Sequence, residues 1–488
     1  MKKYYVEKVR NYVGGEWTLS SSTEWSSITN PATGDKIGDV PAGSAADVDA
    51  AVQAAKKAFT TWREVPPAVR ARYLFELRNL MEKTYDELLS ICTQEHGKTF
   101  EESKGDVRRG IDNVETAAGI PSLMMGDALE QIATGIDCVS YRQPMGVFAI
   151  IAPYNFPSMV PLWFLPYAIA TGNTVVVKPS EQVPFSQYRL FELLHELKLP
   201  PGVVNMVHGG KDVVNGILDH KDIAGVSFVG SSPVAEIVAA KCGATGKRFQ
   251  ALGGAKNFTL VMDDCDWEKS IANIVDSAFG CAGQRCLATS IAVGVGSAAY
   301  KKLEEKIVEG ARRIKVGEGH QPGVTMGPVI SAKHKERVLG YIEKGIKEGA
   351  KLLLDGRNCK VDGFPNGHFI GPTVFAGVTP EMTIGKEEIF GPVLSLMETR
   401  DLDHALATAK AHPLANAASI YTSNGAHARK FTHEIDAAMV GVNIGVAAPM
   451  SYFTFGGSKG SFFGDLKAHG RESIQFYTQN KTAIQRWW

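Results

Sequence analysis

Apolar residues recur along this chain in two alternating textures. Val48, Ala51, Val52, Ala55 and Phe59 fall at helical spacing behind Ser44-Ala45-Ala46-Asp47, which reads as a capping box, so an amphipathic helix is expected to open the first domain. Helical patterns continue through about residues 66–120. Beyond them, short apolar runs of strand length (Val147–Ile151, Thr174–Val177, Val203–Val207, Val226–Val229 and Phe258–Met262) alternate with helix-length segments. That alternation predicts parallel strands joined by crossover helices, a doubly wound α/β fold. In such a sheet a ligand lies beyond the carboxyl ends of the strands, where Lys178 and Glu181, Gly230 and Ser231, and Leu252–Lys256 fall.

The α/β texture repeats over about residues 265–450, with Ile271, Ile274, Val275 and Ala278 at helical spacing before a glycine-rich turn, which indicates a second domain. Gln131–Tyr141 and Ser473–Gln479 look strand-like and detached. Such edges need partners, and both pairing between subunits and packing within one chain satisfy them.

At 488 residues the chain is long enough for two or three domains. Lys plus Arg equal Asp plus Glu at 52 each, so there is no global field to draw in nucleic acid or an anionic membrane. Between Arg142 and Lys178 no charged residue or histidine occurs, but Pro144, Pro153, Pro157, Pro161 and Pro166 interrupt the stretch, which argues for buried strand, loop and short helix over a spanning helix. Met1–Glu7 is charged and lacks the apolar region of a secretory signal. Seven scattered cysteines, odd in number and without paired metal-ligand spacing, suit reduced thiols in a cytoplasmic protein without a metal site.

The run Phe279-Gly280-Cys281-Ala282-Gly283-Gln284-Arg285-Cys286 presents a thiol on a glycine-loosened turn beside a guanidinium. A thiolate is a nucleophile, and neighbouring cations lower its pKa. Taken alone the run fits a buried, inert cysteine equally well. Its company is the amide of Asn155 in an uncharged loop, Val175–Glu181 at a strand end, and Glu387-Glu388-Ile389-Phe390-Gly391-Pro392.

With these residues in view, the chain resembles the aldehyde dehydrogenases along essentially its whole length. The shared segments are Pro153-Tyr154-Asn155-Phe156-Pro157, Lys178-Pro179-Ser180-Glu181, Phe228-Val229-Gly230-Ser231, Gly280 to Cys286 and Glu387 to Pro392. Ser122–Gly126, Gly254-Ala255-Lys256-Asn257, Ser461–Asp465 and Gln475–Gln479 are most similar to the CoA-acylating methylmalonate-semialdehyde dehydrogenase branch. The resemblance implies an NAD-binding domain over 1–123 and 145–255, a catalytic domain over 256–450, and oligomerisation segments at 124–144 and 451–488 of a homodimer or homotetramer.

It further implies Cys286 as the nucleophile that adds to an aldehyde, with Asn155 and a backbone N–H holding the oxyanion. Phe156, Lys178, Glu181, Gly230, Ser231, Glu388 and Phe390 are the implied contacts to NAD. An acid near the adenine ribose favours NAD over NADP. The turn Gly230-Ser231-Ser232-Pro233-Val234-Ala235 departs from the usual dinucleotide pattern in ending on alanine.

Where hydrolytic relatives carry a glutamate that activates water, this chain has Phe249-Gln250-Ala251-Leu252-Gly253-Gly254-Ala255-Lys256. Depending on the anchor, Leu252 or Ala251 takes the position, and neither can be a base. The thioester is then left for CoA as co-substrate. Arginine suits bidentate carboxylate binding, which makes Arg109 and Arg285 candidates for a substrate acid group. Arg108 fits a solvated face better, and Arg285 could instead be structural or lower the thiol pKa. The implied reaction is oxidation, with decarboxylation, of methylmalonate or malonate semialdehyde to propionyl-CoA or acetyl-CoA. The alternative is hydrolytic, NAD-dependent oxidation of a carboxylated aldehyde with its base elsewhere.

Overall fold

A computed structural model describes residues 4–488. The helix Ala45–Trp62 forms where predicted, and Ser44 accepts from the Asp47 N–H at 3.2 Å. The capping box is only half made, because the Asp47 carboxylate turns to the Ser20 hydroxyl and the Ser21 N–H. The box with both arms present lies at Thr99 and Glu102, opening the helix Phe100–Ala118.

The valine-rich runs become the centre of an eight-stranded sheet. Five parallel strands lie in the order Arg248–Leu252, Ile223–Val229, Val147–Ile151, Thr174–Lys178 and Val204–Met206. Helices cover both faces, and every residue of Val147–Ile151 and Thr174–Lys178 is buried, as a doubly wound sheet requires. Antiparallel strands close the edges: Asn11–Val13 with Glu16–Thr18 on one side and Phe462–Phe463 on the other. Phe258–Met262, read together with the other four runs, instead belongs to a second sheet as Asn257–Val261. That sheet has seven strands, six of them parallel, with Lys351–Leu354 antiparallel at one edge.

Gln131–Tyr141 resolves into two strands, Ala128–Ala133 and Ile136–Pro144, about a turn at Gly135. The expected strand at Ser473–Gln479 is a correction: Gly470–Phe476 is helical, and the strand begins at Thr478. Ile474, Phe476 and Thr478 alternate like a strand, but the buried set Ser473, Ile474, Phe476 and Tyr477 has helical spacing. Thr478–Arg486 then pairs antiparallel with Ile136–Pro144 over nine positions. Among the described residues no helix is long and apolar enough to cross a membrane, and no cluster of His, Cys, Asp or Glu could hold a metal ion.

Candidate active site

The turn that carries Cys286 is built from left-handed backbone. Trp267–Phe279 is a helix capped by Asp266, and it stops at Gly280. Cys281, Ala282 and Gly283 follow with φ of 50°, 52° and 72°. A side chain resists this conformation, so the surroundings must impose it. Glu102 does so from the helix Phe100–Ala118, accepting from the Cys281 N–H at 2.5 Å while its other oxygen completes the Thr99 cap. Downstream, the Asn257 and Asn416 amides both donate to the Cys286 carbonyl, at 2.9 and 2.8 Å.

Asn155 reaches the same turn. Its amide donates to the Gln284 carbonyl at 3.1 Å, and its own carbonyl accepts from Lys98 Nζ at 2.8 Å. Lys98 is fully buried against Asp106 at 2.7 Å, and its ammonium lies 4.0 Å from the centre of the Phe156 ring. Burial opposes that charge, but the Asp106 carboxylate outweighs it and holds the lysine above its ordinary range. Asp106 also accepts from the Met159 N–H at 2.7 Å. One buried ion pair thereby ties the Asn155–Phe156 loop to helix Phe100–Ala118.

Cys286 is half-buried and opens on a cavity of about 400 Å³. Phe156, Trp163, Leu287 and Phe455 supply apolar wall, and Arg109 and Arg285 also line it. The Cys286 thiol is pushed up to about 12, first by burial and then by the Glu388 carboxylate, with Arg285 acting against both. Glu388 accepts from the Ala255 N–H at 2.9 Å and covers Gly254, where a Cβ would meet its carboxylate at 2.4 Å. Burial lifts Glu388 to about 7, against the Ala255 hydrogen bond and the charges of Lys256 and Arg337. Phe390, at φ 59°, sets its ring edge-on to Tyr154 at 5.9 Å.

The two arginines differ in their commitments. Arg109 gives one N–H to the Pro449 carbonyl at 3.0 Å. Arg285 crosses Gly280, where a Cβ would come within 2.4 Å of the guanidinium. It contacts Cys281 Sγ at 3.4 Å, Glu102 at 3.5 Å and Asp276 at 3.6 Å. Arg108 faces away and forms a two-pronged pair with Glu82 at 2.7 and 2.8 Å, the solvated role expected of it.

At the carboxyl ends of the first sheet, Lys178 is buried and donates to the Pro179 and Gly209 carbonyls, with Glu181 exposed 3.1 Å away. Burial lowers Lys178, and Glu181 partly restores it. Ser231 is exposed at the N-terminus of the helix Ser232–Ala244. Ala235, where the usual pattern has glycine, lies in the first turn of that helix and is fully buried. Ser232 is the residue that fastens this corner, accepting from the Gly254 N–H and donating to the Gly460 carbonyl, both at 2.9 Å. These groups suit a dinucleotide: an exposed serine at a helix N-terminus for phosphate, although Pro233 lacks an N–H and the Val234 N–H is taken by the Ser231 carbonyl, and an exposed acid beside a lysine for ribose hydroxyls.

Lys98, Glu102 and Asn416 were not singled out from the sequence. Glu102 had a legible signal, Thr99-x-x-Glu102 before an apolar helix. Asn416 lies 130 residues from the carbonyl it holds, and no local pattern announces it.

Residues 17–483 match the Aldehyde dehydrogenase family. Malonate-semialdehyde dehydrogenase 2 of Geobacillus kaustophilus is 50% identical over 483 residues, 99% of each chain. Among solved structures, the methylmalonate-semialdehyde dehydrogenase of Oceanimonas doudoroffii superposes with a TM-score of 0.97 at 43% identity, covering 99% of both chains. A Sinorhizobium meliloti protein assigned as methylmalonate-semialdehyde dehydrogenase and solved with NAD gives 0.97 at 42% identity, again over 99% of both. The chain belongs to the aldehyde dehydrogenase family.

Proposed function

We propose that this enzyme oxidises malonate or methylmalonate semialdehyde with NAD and transfers the acyl group to CoA. Cys286 adds to the aldehyde carbon, and the resulting oxyanion is met by the Asn155 amide and a backbone N–H. Lys178, Glu181, Gly230, Ser231, Glu388, Phe156 and Phe390 would hold NAD, which would supply the acceptor for the hydride lost as the thiohemiacetal becomes a thioester. The substrate carboxylate, beta to the thioester carbonyl, leaves as carbon dioxide with its electrons passing into that carbonyl, and the α-carbon is then protonated. CoA thiolate attacks the thioester and expels the Cys286 thiolate.

The observation that carries this reading pairs a cavity that holds the nucleophile and two arginines with hydrocarbon at the sequence position of the hydrolytic base, outside that cavity's lining. Cys286 shares its cavity with two guanidiniums, while Ala251 and Leu252, at the position of a hydrolytic base, are buried hydrocarbon. Curated relatives spanning the whole chain are malonate-semialdehyde dehydrogenases by name, in line with that chemistry. In the domain reading, 1–123 and 145–255 bind NAD and 256–450 carry catalysis, with 124–144 and 451–488 serving assembly. Phe462–Phe463 adds to the cofactor sheet, so that last segment has a second duty.

One observation favours the hydrolytic alternative: Glu388 is an acid whose charge reaches Cys286, with a pKa lifted to about 7. Product analysis separates the two. Enzyme, malonate semialdehyde and NAD should turn over rapidly only with CoA and give acetyl-CoA by mass. Free acid formed at full rate without CoA would select hydrolysis.

A further inference from the structure

His469 is a polar side chain in the cavity wall that the mechanism above leaves unused. It is 3% exposed, and neither Nδ1 nor Nε2 has a hydrogen-bond partner. Its ring stands edge-on to Trp163, centroids 5.1 Å apart, and tilts against Phe455 at 5.4 Å. Both aromatic neighbours line the cavity with His469, Arg109 and Cys286. The imidazole is thereby fixed in orientation by rings that cannot accept its N–H in the plane.

Its backbone is as unusual as its side chain. His469 has φ 71° and ψ 166°, a region otherwise reserved for glycine. The flanking chain enforces this: Ala468 and Phe455 exchange two backbone hydrogen bonds, and the Gly470 N–H donates to the Ser451 carbonyl at 3.0 Å. His469 is also the residue preceding the short helix Gly470–Phe476, where a serine or aspartate would fold back to cap, yet its side chain makes no capping bond. Unpaired burial and a strained backbone are both unfavourable. Their coincidence on one cavity-lining residue is what a ligand contact explains and packing does not.

Arg109 sets the chemistry of the position. Burial first, and the Arg109 charge second, push His469 down to about 3, so the ring stays neutral with one N–H to give. A carboxylate placed against Arg109 has a second oxygen to satisfy. Arg285 is already engaged by Glu102 and Asp276, whereas His469 is unengaged.

We propose that His469 is a substrate-binding residue whose ring N–H donates to the carboxylate of the semialdehyde beside Arg109. This rests on the reading that the cavity takes a carboxylated aldehyde at Cys286. The test is the ratio of kcat/KM for malonate semialdehyde to kcat/KM for propanal, with NAD and CoA present. His469→Phe should lower that ratio about ten- to hundredfold, the range for a lost hydrogen bond to a charged group. His469→Gln, which keeps an N–H, should recover most of it. His469→Leu, needing less room, is a second non-donating variant, and near-UV circular dichroism identifies which variants fold. A wild-type ratio near one overturns the functional reading and this proposal with it. A high wild-type ratio that persists in the folded non-donating variants, or equal loss on both substrates, overturns the role of His469 alone.

Discussion

Cys286 and Glu388 have opposed needs. A thiol pushed up to about 12 is protonated at neutral pH, and the thiolate that attacks is a small fraction. Glu388 deepens this while it is charged, and burial holds its own pKa at about 7. The sign therefore runs in one direction: removing the negative charge lowers the thiol pKa and raises the thiolate fraction. Glu388→Gln should alkylate faster than wild type at Cys286 above about pH 8 when treated with iodoacetamide and followed by mass spectrometry. Below pH 7 the wild-type carboxyl is itself protonated, so the two rates should converge. A constant ratio across both ranges would mean that Glu388 acts on Cys286 through packing and not through charge.

The turn from Gly280 to Cys286 is the element on which the site depends, and Gly283 is its least replaceable position. A Cβ there would stand 2.1 Å from the Gly391 carbonyl oxygen, and φ is 72°. Gly391 belongs to the loop of Glu388 and Phe390, so the conflict is backbone against backbone and no rotamer relieves it. Gly283→Ala should lower kcat about a hundredfold, since small misplacements of reacting groups cost that much. Gly340→Ala is the control: it lies in the exposed face of the helix Ala332–Lys347 with nothing within 4 Å of its Cβ, and should stabilise the protein by about 0.5–1 kcal/mol in urea unfolding. Gly283 was legible in the sequence because its positive φ favours glycine, whereas Cys281 and Ala282 adopt the same conformation with side chains that give no such mark. Val147–Ile151 was legible to the residue, because a strand buried on both faces is a continuous apolar run. The short N-terminal strands Val6–Lys8 and Asn11–Val13 were not, since three residues carry too little period to see. His469 and Asn416 escaped for a different reason: their roles come from long-range packing, which composition and spacing do not encode.

At the scale of the molecule, the three-stranded sheet Ala128–Ala133, Ile136–Pro144 and Thr478–Arg486 stands apart from both large sheets. The paired strands satisfy each other within one chain, so internal pairing is realised, but the sheet keeps two open edges and an uncovered face. Register puts Leu129 opposite Cys138 and Cys138 opposite Ile484, a row of side chains on one face. Leu129 is 64% and Ile484 69% exposed. Exposed apolar residues in a row on a small sheet are a liability in a monomer and an asset at a subunit contact. Light scattering should accordingly give a mass of two or four times 52.7 kDa for the wild-type chain. Placing like charges across that row, as Leu129→Lys with Ile484→Lys, should shift the mass toward one chain without unfolding the large sheets, which share no residue with it. A wild-type mass of one chain, or an unchanged oligomer in the double variant with its circular dichroism intact, would move assembly to another surface.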